Sequence, residues 1–384
     1  LSPQAQAWLI TAGPGASTYA LFGHSAIRVQ DPVQNLDRVY NYGSFDFDQP
    51  NFYTRFVQGK LLYKLSAYPY RYMPPHYAED NRALFEQRLL LSPADLQVLF
   101  NRLETNAQPE NAEYLYDFFY DNCATRLRDQ LEQTLGSRLQ FAELPPEQQE
   151  RTFRQLITPY IQGRAWLHFG IDLILGPAAD AQVDKRLIQF LPDHLATAFG
   201  EAQQLDASGT WTALVGDMRQ IGPGNIQPIQ ETNYFPPLAL GVLLFVLAVG
   251  VTVRDYRRGG RSRWFDSLFW LPPALLGVFY LVFWLGTDHR VAPGNLNLLW
   301  ANPLLLVLVF VGNGRGRETL RPLAVLLAMP IVLVWLGNSV LPQEFHLAAQ
   351  WWGAAVFVRL AWFYAGPKPN SSPTVKAPTA AATA

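Results

Sequence analysis

Cysteine is nearly missing from this chain. Cys123 is the only one in 384 residues, so no disulfide forms within the chain and no thiolate cluster holds a metal. The six histidines are scattered and give no ligand spacing, so neither a metal nor another cofactor is expected. An excess of charge is also missing. Thirty Lys and Arg against 31 Asp and Glu leave a formal net charge of −1, and no basic balance points to nucleic acid. No internal repeat recurs at a fixed period. There is no initiating Met; the chain begins at Leu1, which reads as a processed N-terminus after a removed signal peptide, or as a chain boundary.

What is present divides sharply along the chain. Residues 1–232 are mixed, polar and aromatic-rich, whereas apolar runs dominate from Phe235. A membrane-spanning helix needs about 20 mostly apolar residues. Five runs approach this: Phe235–Val253, Leu268–Gly286, Leu298–Gly312, Leu323–Leu341 and Leu347–Ala365. The third is short and carries Asn302-Pro303. Arg254, Arg257, Arg258, Arg261 and Arg263 follow the first run, and Arg315, Arg317 and Arg321 follow the third. The loop after the second run holds only Arg290, and the loop after the fourth has no Lys or Arg. The positive-inside rule then sets residues 1–232 outside the cytoplasm and the C-terminus inside. The expected domains are therefore 1–232 outside, 233–366 in the membrane, and a disordered Pro/Ala/Ser/Thr-rich tail over 367–384.

In the polar part, Ala5–Ala12 is strand-like and ends at Gly13-Pro14-Gly15. Leu21–Val29 reads as a second strand with His24, Ala26 and Arg28 on one face. Arg38–Tyr42 reads as a third, antiparallel to it. A short helix over Phe52–Gly59 and a strand over Leu61–Tyr68 follow. Tyr77–Leu91 is compatible with strand or helix. Ser92-Pro93 opens a helix to about Thr105. The apolar stretch Phe153–Leu175 either packs as core or lies on a lipid surface.

The most informative stretch is Tyr116 to Asp129. Asp121 and Asn122 are N-cap residues, Leu127, Leu131 and Leu135 repeat every four residues, and Gly136 is a stop. The pattern predicts a helix from Cys123 to Leu135 with the thiol in its first turn, on the inward stripe. There the free N–H groups and the helix dipole favour thiolate and offer an oxyanion site. A buried structural cysteine fits the same helix.

A cysteine nucleophile needs a base and a group to orient it. His24 is the best base candidate, because it starts a strand and follows Gly23, which permits close approach. Asn41 on the neighbouring strand is the expected orienting group, with Tyr40 or Tyr42 as alternatives. Tyr42 and Asn122 are further candidates for substrate contacts. Arg28, on the His24 face, is suited to a phosphate or to solvent. His289 and Asn297, with Asp288, Arg290 and Asn295, lie at the outer ends of two runs, where they contact head groups or are ordinary interfacial polarity.

Gly23-His24-Ser25-Ala26-Ile27-Arg28, Asn41-Tyr42-Gly43-Ser44-Phe45, Asn81-Arg82 and Tyr116 to Arg126 together resemble the Lnb-type N-terminal periplasmic domain family. That family is similar to circularly permuted papain-like, NlpC-type thiol enzymes, in which histidine precedes cysteine. Asp288-His289-Arg290 and Asn295 to Pro303 resemble its membrane part. The resemblance implies an α+β, circularly permuted papain-like domain outside the bacterial inner membrane, followed by an α-helical membrane domain of about five spans. It implies acyl transfer through a Cys123 thioester, from a membrane phospholipid to the N-terminal amine of a diacylated lipoprotein. Two rivals remain: a cysteine hydrolase (amidase, peptidase or phospholipase) and a non-enzymatic maturation partner.

Overall fold

Apolar residues at alternate positions build the strands, and apolar residues three and four apart build the helices that cover them. The computed structural model describes residues 1–46, 48–222, 224–225, 231, 233–312 and 317–366. Its strands are β1 (Gln6–Ala12), β2 (His24–Asp31), β3 (Leu36–Ser44), β4 (Leu62–Pro69), β5 (Leu84–Leu89), β6 (Glu113–Leu115), β7 (Leu139–Gln140), β8 (Gln203–Leu205), β9 (Trp211–Ala213) and β10 (Arg219–Gln220). The large sheet has the order β10-β5-β1-β2-β3-β4-β6, and β7-β8-β9 form a small second sheet. Every pairing in the large sheet is antiparallel. β3 carries a bulge against β4 between Asn41 and Ser44.

The helices of this part are α1 (Phe52–Val57), α2 (Met73–Glu79), α3 (Pro93–Asn106), α4 (Pro109–Ala112), α5 (Cys123–Leu135), α6 (Pro146–Gln149), α7 (Phe153–Ile161), α8 (Ala165–Ile174) and α9 (Pro192–Glu201). The stretch compatible with helix or strand contains both: the end of α2, then β5. One face of the sheet (Ala7, Leu9, Ile27, Val29, Tyr40, Tyr42) packs against Leu127 and Leu131 of α5, Leu99 of α3 and Phe199 of α9. The opposite face (Ile10, Ala12, Ala26, Val39) is covered by Met73 and Tyr77 of α2. A third cluster joins Phe119 and Phe190 to Phe153, Leu156 and Ile157 of α7, so α7 is core. It is tied down by Arg154, which bonds Asp172 at 2.9 Å and Asp180 at 2.7 Å.

The chain divides into two units. The first is Leu1–Tyr234 with Leu281–Asn295; the second is Phe235–Tyr280 with the chain from Leu296 onward. The segment after the second apolar run thus folds with the polar part. Its backbone is held there by Asp288 N–H to Gln58 O at 2.9 Å and Gly176 N–H to Val291 O at 2.7 Å.

The second unit contains α10 (Pro237–Arg257), most of α11 (Arg263–Gly286), α12 (Leu305–Phe310), α13 (Arg317–Leu336) and α14 (Leu347–Ala365). Among the described residues three helices are long and apolar enough to cross a membrane: Pro237–Arg257, Arg263–Gly286 and Glu318–Leu336. The expected third run is not one continuous helix. It forms a 3-10 turn over Leu296–Leu299 and then α12, because Pro303 has no N–H to donate and disfavours helical backbone at Asn302. In α14, Arg359 is fully buried and bonds Asp266 of α11 at 2.7 Å, Asp255 of α10 at 2.9 Å and Thr252 at 2.8 Å. A cation inside such a bundle persists because it is paired. The tail over 367–384 and Arg315 lie outside the described residues.

Candidate active site

α5 starts at Cys123 because Asn122 caps it. The Asn122 Oδ1 accepts the N–H groups of Ala124 and Thr125 at 2.9 Å each, and the Thr125 hydroxyl accepts the Asn122 N–H at 2.7 Å. This reciprocal arrangement is a capping box. The Asn122 Nδ2 donates to Phe118 O at 2.7 Å and Phe190 O at 2.8 Å. Asn122 is therefore held at both ends of its amide and sets the helix start. The substrate contact expected of it gives way to this role.

Cys123 is 7 % exposed. Burial opposes ionisation of its thiol, but the His24 charge and hydrogen bond, with the Ser25 and Ala124 N–H groups, bring it below the ordinary thiol value. Burial likewise opposes protonation of His24. Cys123, by charge and hydrogen bond, and the Asn41 hydrogen bond outweigh it and raise the imidazole above its usual value. The His24 Nε2 meets the Asn41 Oδ1 at 2.5 Å, which leaves Nδ1 for the thiol. An imidazole that donates from Nε2 to Asn41 is the tautomer that accepts at Nδ1. Asn41 also hydrogen-bonds the Tyr68 side chain. Sequence-distant Cys123, His24 and Asn41 are thus in one hydrogen-bonded line.

Two residues that sequence reasoning did not assign to the site complete it. Gly43, in the β3 bulge, has φ +91°. A Cβ there would lie 3.6 Å from the Cys123 Cβ and 3.7 Å from the His24 Cε1. Gly43 thus lies against both the thiol residue and the imidazole, and its backbone conformation is one that L side chains avoid. The signal was a glycine two positions after Asn41, at a strand end. The second is Arg82. Its Nε donates to Gly13 O at 3.0 Å, its guanidinium lies 4.7 Å from the Tyr77 ring centroid, and its buried Nη2 has no partner among the described residues. Its positive charge counters protonation of His24.

Other expected contacts fall elsewhere. Arg28 is bound bidentately by Asp37 at 2.7 and 2.8 Å and stacks 3.6 Å over the Tyr70 ring. Asp37 takes its Nε and Nη2, and Glu86 lies 3.9 Å from its Nη1, four residues along β2 from His24, which revises the expected phosphate contact. The Tyr42 hydroxyl accepts from Asn106 Nδ2 at 2.8 Å within the core, so Tyr42 supports β3 rather than lining the site. His289 meets Val57 O at 3.0 Å and stacks on Phe283. Asn297, in the second unit, is buried and accepts the Trp300 indole N–H at 2.8 Å. A cleft of about 1110 Å³ in the first unit is bounded by Leu21, Phe22, Gly23, Tyr160, Pro192 and His194. It reaches Gly23, beside His24, but Cys123, His24 and Asn41 do not line it.

An α+β domain with a buried thiol–imidazole–amide line, joined to helices apolar enough to span a bilayer, defines a membrane protein that carries a folded, thiol-containing domain. The chain belongs to the Lnb family: residues 2–158 match the Lnb N-terminal periplasmic domain, and residues 229–367 match the Lnb transmembrane domain. No curated protein and no solved structure matches it.

Proposed function

We propose that this protein is a lipoprotein N-acyltransferase of the bacterial inner membrane, acting through Cys123. The observation that carries the reading is the hydrogen-bonded line from Cys123 through His24 to Asn41, with the thiol lowered and the imidazole raised. Membership of a family with a periplasmic and a transmembrane domain supports a lipoprotein-maturation role in a bilayer. The chain order, with β2 and β3 before the α5 cysteine, supports the reading of a permuted papain-like domain. The arginine distribution supports five crossings, with α14 and the broken run around α12 added to the three long apolar helices, and a cytoplasmic C-terminus.

In the first half-reaction His24 takes the Cys123 proton. The thiolate attacks an ester carbonyl of a membrane phospholipid, the C–O bond breaks, and the departing lysophospholipid oxygen takes the proton from His24. The acyl group is then a thioester on Cys123. In the second, the free N-terminal amine of a diacylated lipoprotein attacks that carbonyl. The C–S bond breaks, the thiolate returns, and the amine proton passes to His24. The Cys123 backbone N–H, which the Asn122 cap does not take, and the Ser25 N–H stabilise the oxyanion in both halves. Asn41 holds the imidazole tautomer.

The test is the intact mass of the purified full chain after incubation with phospholipid, compared with Cys123→Ser. A hydroxylamine-sensitive acyl adduct on Cys123 that moves to the amine of a diacylated lipopeptide is the expected result. No adduct on an inert thiol overturns the reading in favour of a non-enzymatic maturation partner. A reactive thiol that is never acylated points to a hydrolase with another substrate.

A further inference from the structure

Helix α1 is short and wears its apolar stripe on the outside. Tyr53, Phe56 and Val57 occupy positions i, i+3 and i+4, one helical face, and are 79 %, 54 % and 51 % exposed. None of the α1 residues is buried. The inward residue Phe52 packs on Phe45, with ring centroids 6.1 Å apart. An exposed aromatic face on a soluble domain needs a partner.

The contacts of α1 indicate which partner. α11 is one of the helices able to cross a membrane, and its last turns belong to the same unit as α1. Val282 and Leu285 near its end are 61 % and 78 % exposed, so its apolar surface continues to Gly286. The chain leaving it returns directly to α1. Asp288 N–H donates to Gln58 O at 2.9 Å, and the His289 ring meets Val57 O at 3.0 Å while stacking on Phe283 at 4.8 Å. Asp288 is two residues past the helix end, at most about 7 Å of chain. That distance is comparable with the polar layer on each side of the hydrocarbon core. Arg55 in the last turn of α1 supplies a cation for a phosphate layer, and Lys60 just after the helix pairs with Asp288 at 3.8 Å, a further tie between α1 and the chain leaving α11.

We infer that α1 is an interfacial helix: Tyr53, Phe56 and Val57 enter the outer surface of the bilayer beside the exit of α11, and His289 is the clasp that holds α1 there. The occupant of the face is therefore lipid. The helix is also next to the chemistry, because Phe45, on which Phe52 packs, is two residues from Gly43. Lipid at α1 is lipid near Cys123.

The inference goes beyond the acyltransferase reading and is tested without catalysis. Full-length protein carrying Cys123→Ser and Phe56→Cys is nitroxide-labelled and reconstituted in phosphatidylethanolamine–phosphatidylglycerol nanodiscs. Relaxation by oxygen is compared with relaxation by a water-soluble nickel chelate. The same label at Val33→Cys, 63 % exposed at the turn between β2 and β3, is the aqueous reference. The oxygen-to-nickel ratio at position 56 is expected to exceed that at position 33 several-fold. Tyr53→Cys gives the same reading if Phe56→Cys fails to fold. Equal ratios at the membrane-side and reference positions overturn the inference, whatever Cys123 does.

Discussion

His24 and Asn41 come from adjacent antiparallel strands and meet Nε2 to Oδ1 at 2.5 Å. That contact orients the ring so that its other nitrogen serves Cys123. Asn41→Ala removes the orienting acceptor, keeps the thiol and the imidazole, and frees the ring to turn. Misplacing a catalytic group by about 1 Å costs on the order of 10²-fold, and a loss of that size in single-turnover acylation of Cys123 is expected. Tyr68→Phe, which removes only the hydroxyl beyond Asn41, is expected to cost less.

The thiol and the imidazole stabilise each other's charged forms. The thiol is brought below its ordinary value, against burial, chiefly by the His24 charge. Iodoacetamide alkylation of Cys123 is therefore expected to stay fast well below the pH at which a free thiol ionises. In His24→Ala the favourable charge is gone and burial remains, so the onset of alkylation moves to higher pH. Turnover in the same variant falls by about 10²–10⁴-fold, the ordinary contribution of general base catalysis. An unchanged alkylation profile in His24→Ala would show that the two groups are not coupled.

Gly43→Ala tests the backbone conformation beside the two reacting groups. The added methyl makes ordinary contact with Cys123 and His24, but at φ +91° the backbone is strained by about 1–3 kcal/mol. The bulge is expected to relax by moving β3. Acylation of Cys123 then falls far more than the loss of thermal stability alone explains, because Asn41 is on the same bulge. Equal, small losses in both would reduce Gly43 to a turn residue.

Arg154 is buried and carries two carboxylates, Asp172 and Asp180. Arg154→Leu takes the shared guanidinium from both, and removing one partner of a buried ion pair costs about 3–5 kcal/mol. A large drop in the unfolding temperature of the first unit is expected. Burial raises the Asp172 pKa, but His168 and Arg154 hold it below the usual carboxylate value. Its stabilising contribution is thus present above the unfolded pKa and is lost as pH falls through the folded one. Asp172→Asn is expected to flatten that acid limb in thermal unfolding measured against pH.

Much of this protein is local. The α5 helix follows from a capping residue, a four-residue leucine repeat and a terminal glycine, all within fifteen positions, and the structure bounds it at Cys123 and Leu135 as those signals require. The strands around His24 and Asn41 follow from alternation, and three long apolar helices from run length. Short-range chemistry determines these elements, because capping, periodicity and hydropathy act between neighbours in the chain. Distance decides the rest. That Gly43 lies against both Cys123 and His24, that Arg82 brings its charge to their surroundings, and that Arg28 is claimed by Asp37 depend on register and on what lies across the sheet. That residues 281–295 fold with the polar unit, clasping α1 through His289, is a contact over more than two hundred residues of chain. Composition carries no trace of such a pairing, since polar residues after a span look alike whether they meet water or another helix. The sequence alone determines the elements and the thiol. Only the packing of those elements decides which side chains the thiol meets and which apolar face is left for lipid.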